Sequence, residues 1–308
     1  MPELPDVEVY REALAARVAG VPLVRVELKS PFVLRTAVPP LSALDGRVVR
    51  SVRRLGKRIV FAFDDEHFLV VHLMVAGRLQ WLPEGGKAPA RITQALLHFA
   101  PGTLALTEAG TKRRASLHCV HGEAALGAFT AGGLDVLAAD RDAFAARLAS
   151  ENHTAKRALT DPALFDGIGN AYSDEILHRA RVSPLALTQK MHDATVTALH
   201  AAAQSVLAGW TQRLRDEAAG AFPAKVTAFR PGMAVHGRFG QPCPDCGAPV
   251  QRIVYAESEC NYCARCQTGG VVLADRALSR LLHKSFPRRL EERQDPSTKR
   301  RPDAEDPD

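Results

Sequence analysis

No stretch of this chain stays apolar long enough to cross a membrane. The longest, Phe68 to Gly77, is broken by His72 and is half the roughly 20 residues that a spanning helix needs. The amino terminus, Met1-Pro2-Glu3-Leu4-Pro5-Asp6, is acidic and has no apolar centre. No secretory signal is read there, and a cytoplasmic location is expected. There is no internal repeat. With 46% hydrophobic and 24% charged residues among 308, a collagen-like or wholly disordered chain is excluded, and the length suits two or three globular domains. Neither sign of charge dominates: 40 Lys and Arg against 34 Asp and Glu leave +6. The last 25 residues carry seven of each sign, so the whole excess falls on the body of the chain. A basic body points to a polyanionic partner.

Apolar spacing divides the chain. Val7, Tyr10, Leu14 and Val18 recur at helical intervals and predict an amphipathic helix over residues 6–19. The period then changes to two. Val24 to Leu28, Val48 to Val52, Ile59 to Phe63, Phe68 to Leu73, Ala95 to Phe99 and Thr103 to Thr107 read as short strands of a sandwich or barrel of about 120 residues. Beyond Gly133 helices are predicted over residues 140–148, 156–164, 172–180 and 188–216, the last with Val196, Leu199, Ala203, Val206, Trp210 and Leu214 on one face. Residues 222–241, rich in Gly, Pro and basic side chains, read as a loop region. Leu278, Leu281 and Leu282 suggest a short helical turn, and from Arg288 onward apolar anchors give out, so a disordered tail is expected.

Cysteine is absent from most of the chain and then crowded. Five of the six, at 243, 246, 260, 263 and 266, lie within 24 residues. In a reducing compartment this reads as a metal site. Cys243 and Cys246 form the first Cys-x-x-Cys knuckle. The second is either Cys260 with Cys263 or Cys263 with Cys266; the latter leaves 16 residues between knuckles, the former 13, and only 16 falls in the usual structural-zinc range. Cys243, Cys246, Cys263 and Cys266 are therefore the expected ligands of one structural zinc ion, with Cys260 a spare thiol beside it and Cys119 a core residue. Four thiolates leave the ion no open position.

Pro2-Glu3 carries chemistry through its place in the chain. Methionine before a small residue is normally removed, which would leave a secondary amine beside a carboxyl group. An α-amino group has a pKa of about 8 against about 10.4 for lysine, so far more of it is free amine at neutral pH. Such an amine can attack an electrophilic sugar carbon and form an iminium, with the adjacent carboxyl handling the proton.

Met1-Pro2-Glu3-Leu4-Pro5-Asp6-Val7-Glu8, the β-rich and helical regions, Gly167-Ile168-Gly169-Asn170-Ala171-Tyr172-Ser173-Asp174-Glu175 and Tyr262-Cys263-Ala264-Arg265-Cys266-Gln267 together resemble the formamidopyrimidine-DNA glycosylase and endonuclease VIII family of DNA repair enzymes. The resemblance runs from Pro2 to Gln267. It implies an α+β multidomain protein: an N-terminal catalytic β-sandwich domain (1–132), a helix-two-turns-helix domain (133–236), a zinc-finger hairpin (237–270) and a largely disordered extension (271–308). It further implies a monomeric, bifunctional glycosylase and abasic-site lyase acting on double-stranded DNA with damaged bases or abasic sites. Pro2 is then the expected nucleophile and Glu3 the acid, with Lys57, which falls where the family keeps a strand lysine, holding a phosphate and assisting elimination. Lys156 and Asn170 would bind DNA, and the glycines at 167 and 169 would bring free helix amides against a phosphate. The chain departs from the family at three places. Ser258 stands where a phosphate-binding arginine is usual. In His72-Leu73-Met74-Val75-Ala76-Gly77, either Met74 or Val75 would be the wedge that fills the gap left by an extruded base. Arg113 lies in the loop that completes the wedge, which here has no phenylalanine. These departures keep open an alternative, a glycosylase-derived protein that binds damaged or abasic DNA without turnover.

Overall fold

The computed structural model describes residues 1–224, 226, 230–255, 258–273 and 289–292. The chain opens with helix α1 (Leu4–Val18), whose start is set by Glu3: its backbone N–H donates to Asp6 Oδ2 at 3.0 Å, leaving Pro5 in the first turn where no donor is needed. Val7, Tyr10, Leu14 and Val18 are all buried, as their spacing predicts.

Eight strands follow. They are β1 (Leu23–Leu28), β2 (Val49–Leu55), β3 (Arg58–Phe63), β4 (His67–His72), β5 (Gly77–Leu82), β6 (Thr93–Phe99), β7 (Gly102–Glu108) and β8 (Ser116–His121). They form two antiparallel sheets in the orders β1-β6-β7-β5 and β2-β3-β4-β8. Between them Val52, Ile59, Phe61, Leu69 and Val71 of one sheet meet Leu79, Ala95, Leu97, Leu104 and Leu106 of the other, which makes a sandwich. β3 and β4 are buried on both faces because Leu126 and Phe129 cover Val60, Phe68 and Val70 from outside. The spacing analysis anticipated six of these strands and passed over β5 and β8.

Four helices build the second core: α2 (Arg141–Ala149), α3 (Ala155–Thr160), α4 (Asn170–Arg179) and α5 (Asp193–Ala218). Asp140 and Thr154 cap the first two through their side chains. α3 ends sooner than expected because Asp161-Pro162 follows it, and residues 188–190 form a separate 3₁₀ turn ahead of α5. Leu199, Ala203 and Leu214 are buried, with Val196, Val206 and Trp210 half-buried at the edge of the core. Leu4 of α1 packs into this helical core with Phe165 and Tyr172, and its N–H donates to Gly167 O at 2.9 Å. α1 therefore belongs to both layers.

The third unit is a hairpin of β9 (Gln251–Val254) and β10 (Glu259–Tyr262) closed by α6 (Ala264–Thr268). Part of the expected unanchored tail is docked here: Leu290 packs against the finger and its N–H donates to Gly270 O at 2.9 Å. The helical turn expected at Leu278, Leu281 and Leu282, and the rest of the tail, lie outside the described residues.

Candidate active site and nucleic-acid interface

Glu3 begins one helix with its backbone and occupies the start of another with its side chain. Its Oε2 accepts from Gly169 N at 2.8 Å and Tyr172 N at 3.2 Å, and its Oε1 from Ala171 N at 2.9 Å, all at the amino terminus of α4. A carboxylate is what the positive end of a helix dipole favours. The residue is 2% exposed. The two glycines of the turn serve different ends. Gly167 has φ +77°, and a Cβ there would lie 2.8 Å from that of Leu4. Gly169 has an ordinary extended backbone; a Cβ there would sit 2.5 Å from Glu3 Cδ. The free amides expected to meet a phosphate are thus taken by Glu3, 166 residues away in sequence. Asn170, expected at the DNA, directs its Nδ2 to Glu259 O at 2.9 Å and so ties the turn to the finger.

Around Glu3 the structure gathers the other expected groups. Pro2 is buried. Burial holds the α-amino group of Met1 below its usual pKa, with Glu3 pulling it up and Arg78 reinforcing the drop. Lys57 is not on a strand, as expected, but in the two-residue turn between β2 and β3, with Gly56 before it at φ +61°. Desolvation lowers the Lys57 pKa, Glu3 and Asp166 oppose this, and Lys156 adds to it. His72, paired across strands with Arg58, belongs to this surface though sequence reasoning used it only as a break in an apolar run. Burial and then Arg58 depress its pKa to about 4, so it is neutral at pH 7. Arg230 was also missed. Its side chain is 8% exposed and binds Asp6 Oδ1 at 2.9 Å, joining the start of α1 to the segment leading into the finger. No local pattern marks a contact spanning 224 residues.

The loop from β4 to β5 carries both wedge candidates. Met74 has φ +51° and is half-buried, while Val75 stands 59% exposed. The turn is tight because Gly77 N–H donates to Leu73 O at 2.9 Å. Arg113 is exposed in the neighbouring loop and donates to Arg91 O at 2.9 Å. That loop is fixed from below by buried Glu108, which accepts from Arg114 N at 2.9 Å and Ala115 N at 3.0 Å.

Lys156 corrects the expectation of a DNA-contacting side chain. It is 7% exposed and its Nζ is spent on Asn170 O at 2.7 Å, Ser173 Oγ at 2.8 Å and Asp174 Oδ1 at 2.6 Å. A lysine buried this far needs such partners. Asp174 Oδ2 in turn accepts from His236 Nδ1 at 2.8 Å and Asn261 N at 3.1 Å. Beside it Glu175 accepts from the backbone N–H groups of Ala234, Val235 and His236 at 2.7 to 2.9 Å. One helix, α4, therefore holds the Glu3 carboxylate at its first turn and the finger along its side.

In the finger the Sγ atoms of Cys243, Cys246, Cys263 and Cys266 lie within 4.8 Å of one another, with Cys246 to Cys263 at 3.4 Å and Cys243 to Cys266 at 3.9 Å. A tetrahedral ion with Zn–S bonds of about 2.3 Å needs sulfurs about 3.8 Å apart. The donor set fits. Cys260 is not beside this cluster. It packs with Ile253, Tyr262 and Ala264, and burial followed by the charge of Asp174 pushes its pKa well up.

This arrangement has recognisable relatives. Residues 1–115 match the formamidopyrimidine-DNA glycosylase N-terminal domain and residues 134–213 the H2TH domain of the same enzymes. A formamidopyrimidine-DNA glycosylase from Heliobacterium modesticaldum is 32% identical over 279 residues, covering 87% of this chain and 100% of its own. The chain belongs to the formamidopyrimidine-DNA glycosylase family. A second relative, an uncharacterized formamidopyrimidine-DNA glycosylase-like protein of Mycobacterium tuberculosis, is 43% identical over 150 residues, covering 49% of this chain and 93% of its own. The family fold is also seen in solved structures. The Lactococcus lactis protein of the family, crystallised with abasic-site DNA, superposes with a TM-score of 0.77 at 24% identity, covering 86% of this chain and 99% of that one. The two formamidopyrimidine-DNA glycosylase family matches take in the Pro2-Glu3 start and the α4 turn.

Proposed function

We propose that this protein is a bifunctional DNA glycosylase and abasic-site lyase. The observation that carries the reading is the seating of Glu3 on the α4 amides with Pro2 and the desolvated Lys57 around it. The glycosylase names of its relatives support the first activity.

With Met1 removed, the lone pair of the Pro2 nitrogen attacks C1′ of a nucleotide flipped from the stack, and the bond from C1′ to the base breaks with its electron pair on the base. Flipping costs a few kcal/mol, less for a damaged base. Opening of the sugar ring, with a proton delivered at the ring oxygen, leaves a cationic iminium between proline and C1′. The proton that the Pro2 nitrogen releases after attack passes through the Glu3 carboxylate to the ring oxygen or the departing base. The iminium acidifies the C2′ proton; its loss expels the 3′ phosphate and cleaves the strand. Lys57 holds a phosphate near the lesion. Val75, more exposed than Met74, enters the gap left by the base. The finger cysteines hold one zinc ion whose contribution is structural, fixing a hairpin with little apolar core.

The test is borohydride reduction during incubation with duplexes carrying an abasic site or a panel of oxidised bases. A covalent protein-DNA adduct and strand cleavage are expected. Tight binding without adduct or cleavage would replace this reading with the non-catalytic one, which Ser258 at the finger tip favours.

A further inference from the structure

We propose that Asp166, clamped by Arg54, is a positioning residue for Lys57. The inference rests on the role given to Lys57 above. Asp166 lies in the turn before α4, and its Oδ2 accepts from Gly56 N at 3.1 Å and from Arg54 Nη1 at 3.2 Å. The same Arg54 Nη1 donates to Gly56 O at 3.2 Å. Both backbone groups of Gly56, the residue that turns the chain into Lys57, are therefore held by one ion pair. Arg54 is anchored in its own right: Nη2 binds Asp135 Oδ2 at 2.7 Å, and Nε lies 3.7 Å from Glu8 Oε2. Its side chain is 12% exposed and that of Asp166 24%.

The clamp ties the β2–β3 turn of the sandwich directly to the Asp166 turn of the helical layer, whose next residues hold Glu3, beside the contacts that α1 makes between the same layers. Fixing one turn to the other fixes the Lys57 ammonium relative to the Glu3 carboxylate. Gly56 is part of the device, since a Cβ there would lie 2.8 Å from Asp166 Oδ1.

Asp166 also acts on charge. Lys57 is desolvated, and among the described residues no side chain forms an ion pair or hydrogen bond with its ammonium. The groups that face it are Glu3 ahead of α1, Asp166, Lys156 of α3, His72 of β4 and the terminal amine. His72 is neutral at pH 7, so Glu3 and Asp166 are the two that favour the ammonium. Removing the negative charge of Asp166 lowers the Lys57 pKa further. The charged form is then lost at lower pH, and with it the phosphate contact.

The experiment measures binding of the full chain to a duplex carrying a tetrahydrofuran abasic-site analogue, which needs no catalysis, as a function of pH. Asp166→Asn keeps the shape and one acceptor for Gly56; Asp166→Ser serves if the amide does not fold. Each is compared in the native and Lys57→Arg backgrounds. Expected is on the order of tenfold weaker binding than wild type at about pH 9 and a difference within about twofold at about pH 6. With arginine at 57, which stays charged throughout, the pH dependence of that difference should vanish. An unshifted alkaline limb, or an equal shift in the Lys57→Arg background, would overturn the proposal. Absence of a borohydride adduct in the wild type would instead sink the lyase reading while leaving this binding comparison intact.

Discussion

Replacing Gly169 with alanine should disable the site without removing any group that does chemistry. The backbone there has φ −130°, which alanine adopts freely, so the effect is steric alone. The added Cβ would meet Glu3 Cδ at 2.5 Å, Oε1 at 2.6 Å and Cγ at 2.9 Å. Ordinary contact begins near 3.4 Å, so the carboxylate must retreat by close to 1 Å and release part of its grip on the amides of residues 169, 171 and 172. Each hydrogen bond to a charged group contributes about 1.5–3 kcal/mol, and partial loss of three costs on the order of 2–4 kcal/mol of stability. A misplacement of that size costs about 100-fold in rate. Single-turnover base excision should therefore fall on the order of 100-fold, with borohydride trapping on a preformed abasic site falling less, because excision needs the proton that Glu3 carries. Excision within about twofold of wild type in a folded Gly169→Ala protein would refute the claim that seating Glu3 on α4 matters.

Three further outcomes are expected. Cys260→Ser should retain a full equivalent of zinc while Cys266→Ser loses it, read by metal analysis after gel filtration; the reverse pattern would reject the ligand set. Lys156→Ala should destabilise the fold by about 3–5 kcal/mol in denaturant titration, because Asp174 is left as a buried, partly unpaired charge, and a loss under about 1 kcal/mol would contradict its structural role. Ser258→Arg should strengthen binding to abasic duplex and shift strand-cleavage products toward double elimination on a denaturing gel. Arg252 on the same hairpin is already committed to Glu259 at 3.3 Å and to the ring of Phe239, so an unmodified enzyme that already gives only double-elimination ends would refute this.

Local patterns carried the first five helices, six strands and the metal register, because each depends on neighbours in sequence, whereas the short α6 was passed over. The knuckle spacing that selected Cys263 with Cys266 is a property of one hairpin, and the sulfurs do converge. β8 was hidden because only Leu117 and Cys119 face the sandwich core, while apolar Val120 on the other face and His121 in register with that pair break the alternation. The α4 turn was legible as a helix amino terminus that binds an anion, but not as one already bound to Glu3. Lys156 stood at the right distance before that turn, yet spacing says nothing of burial; its partner Asp174 also answers to Asn261 of the finger and to His236 just ahead of it. Arg54, Asp166 and Arg230 escaped notice for the same reason. Their partners are fixed by how the layers meet.

The central claim is that the nitrogen of Pro2 forms the bond to DNA. It is tested most directly by trapping the protein with borohydride on an abasic duplex, digesting the adduct and locating the modified residue by mass spectrometry. The account predicts a chain that has lost Met1 and carries the sugar remnant on Pro2. An adduct on Lys57 or any other lysine, or an efficient adduct in protein that retains Met1, would contradict it.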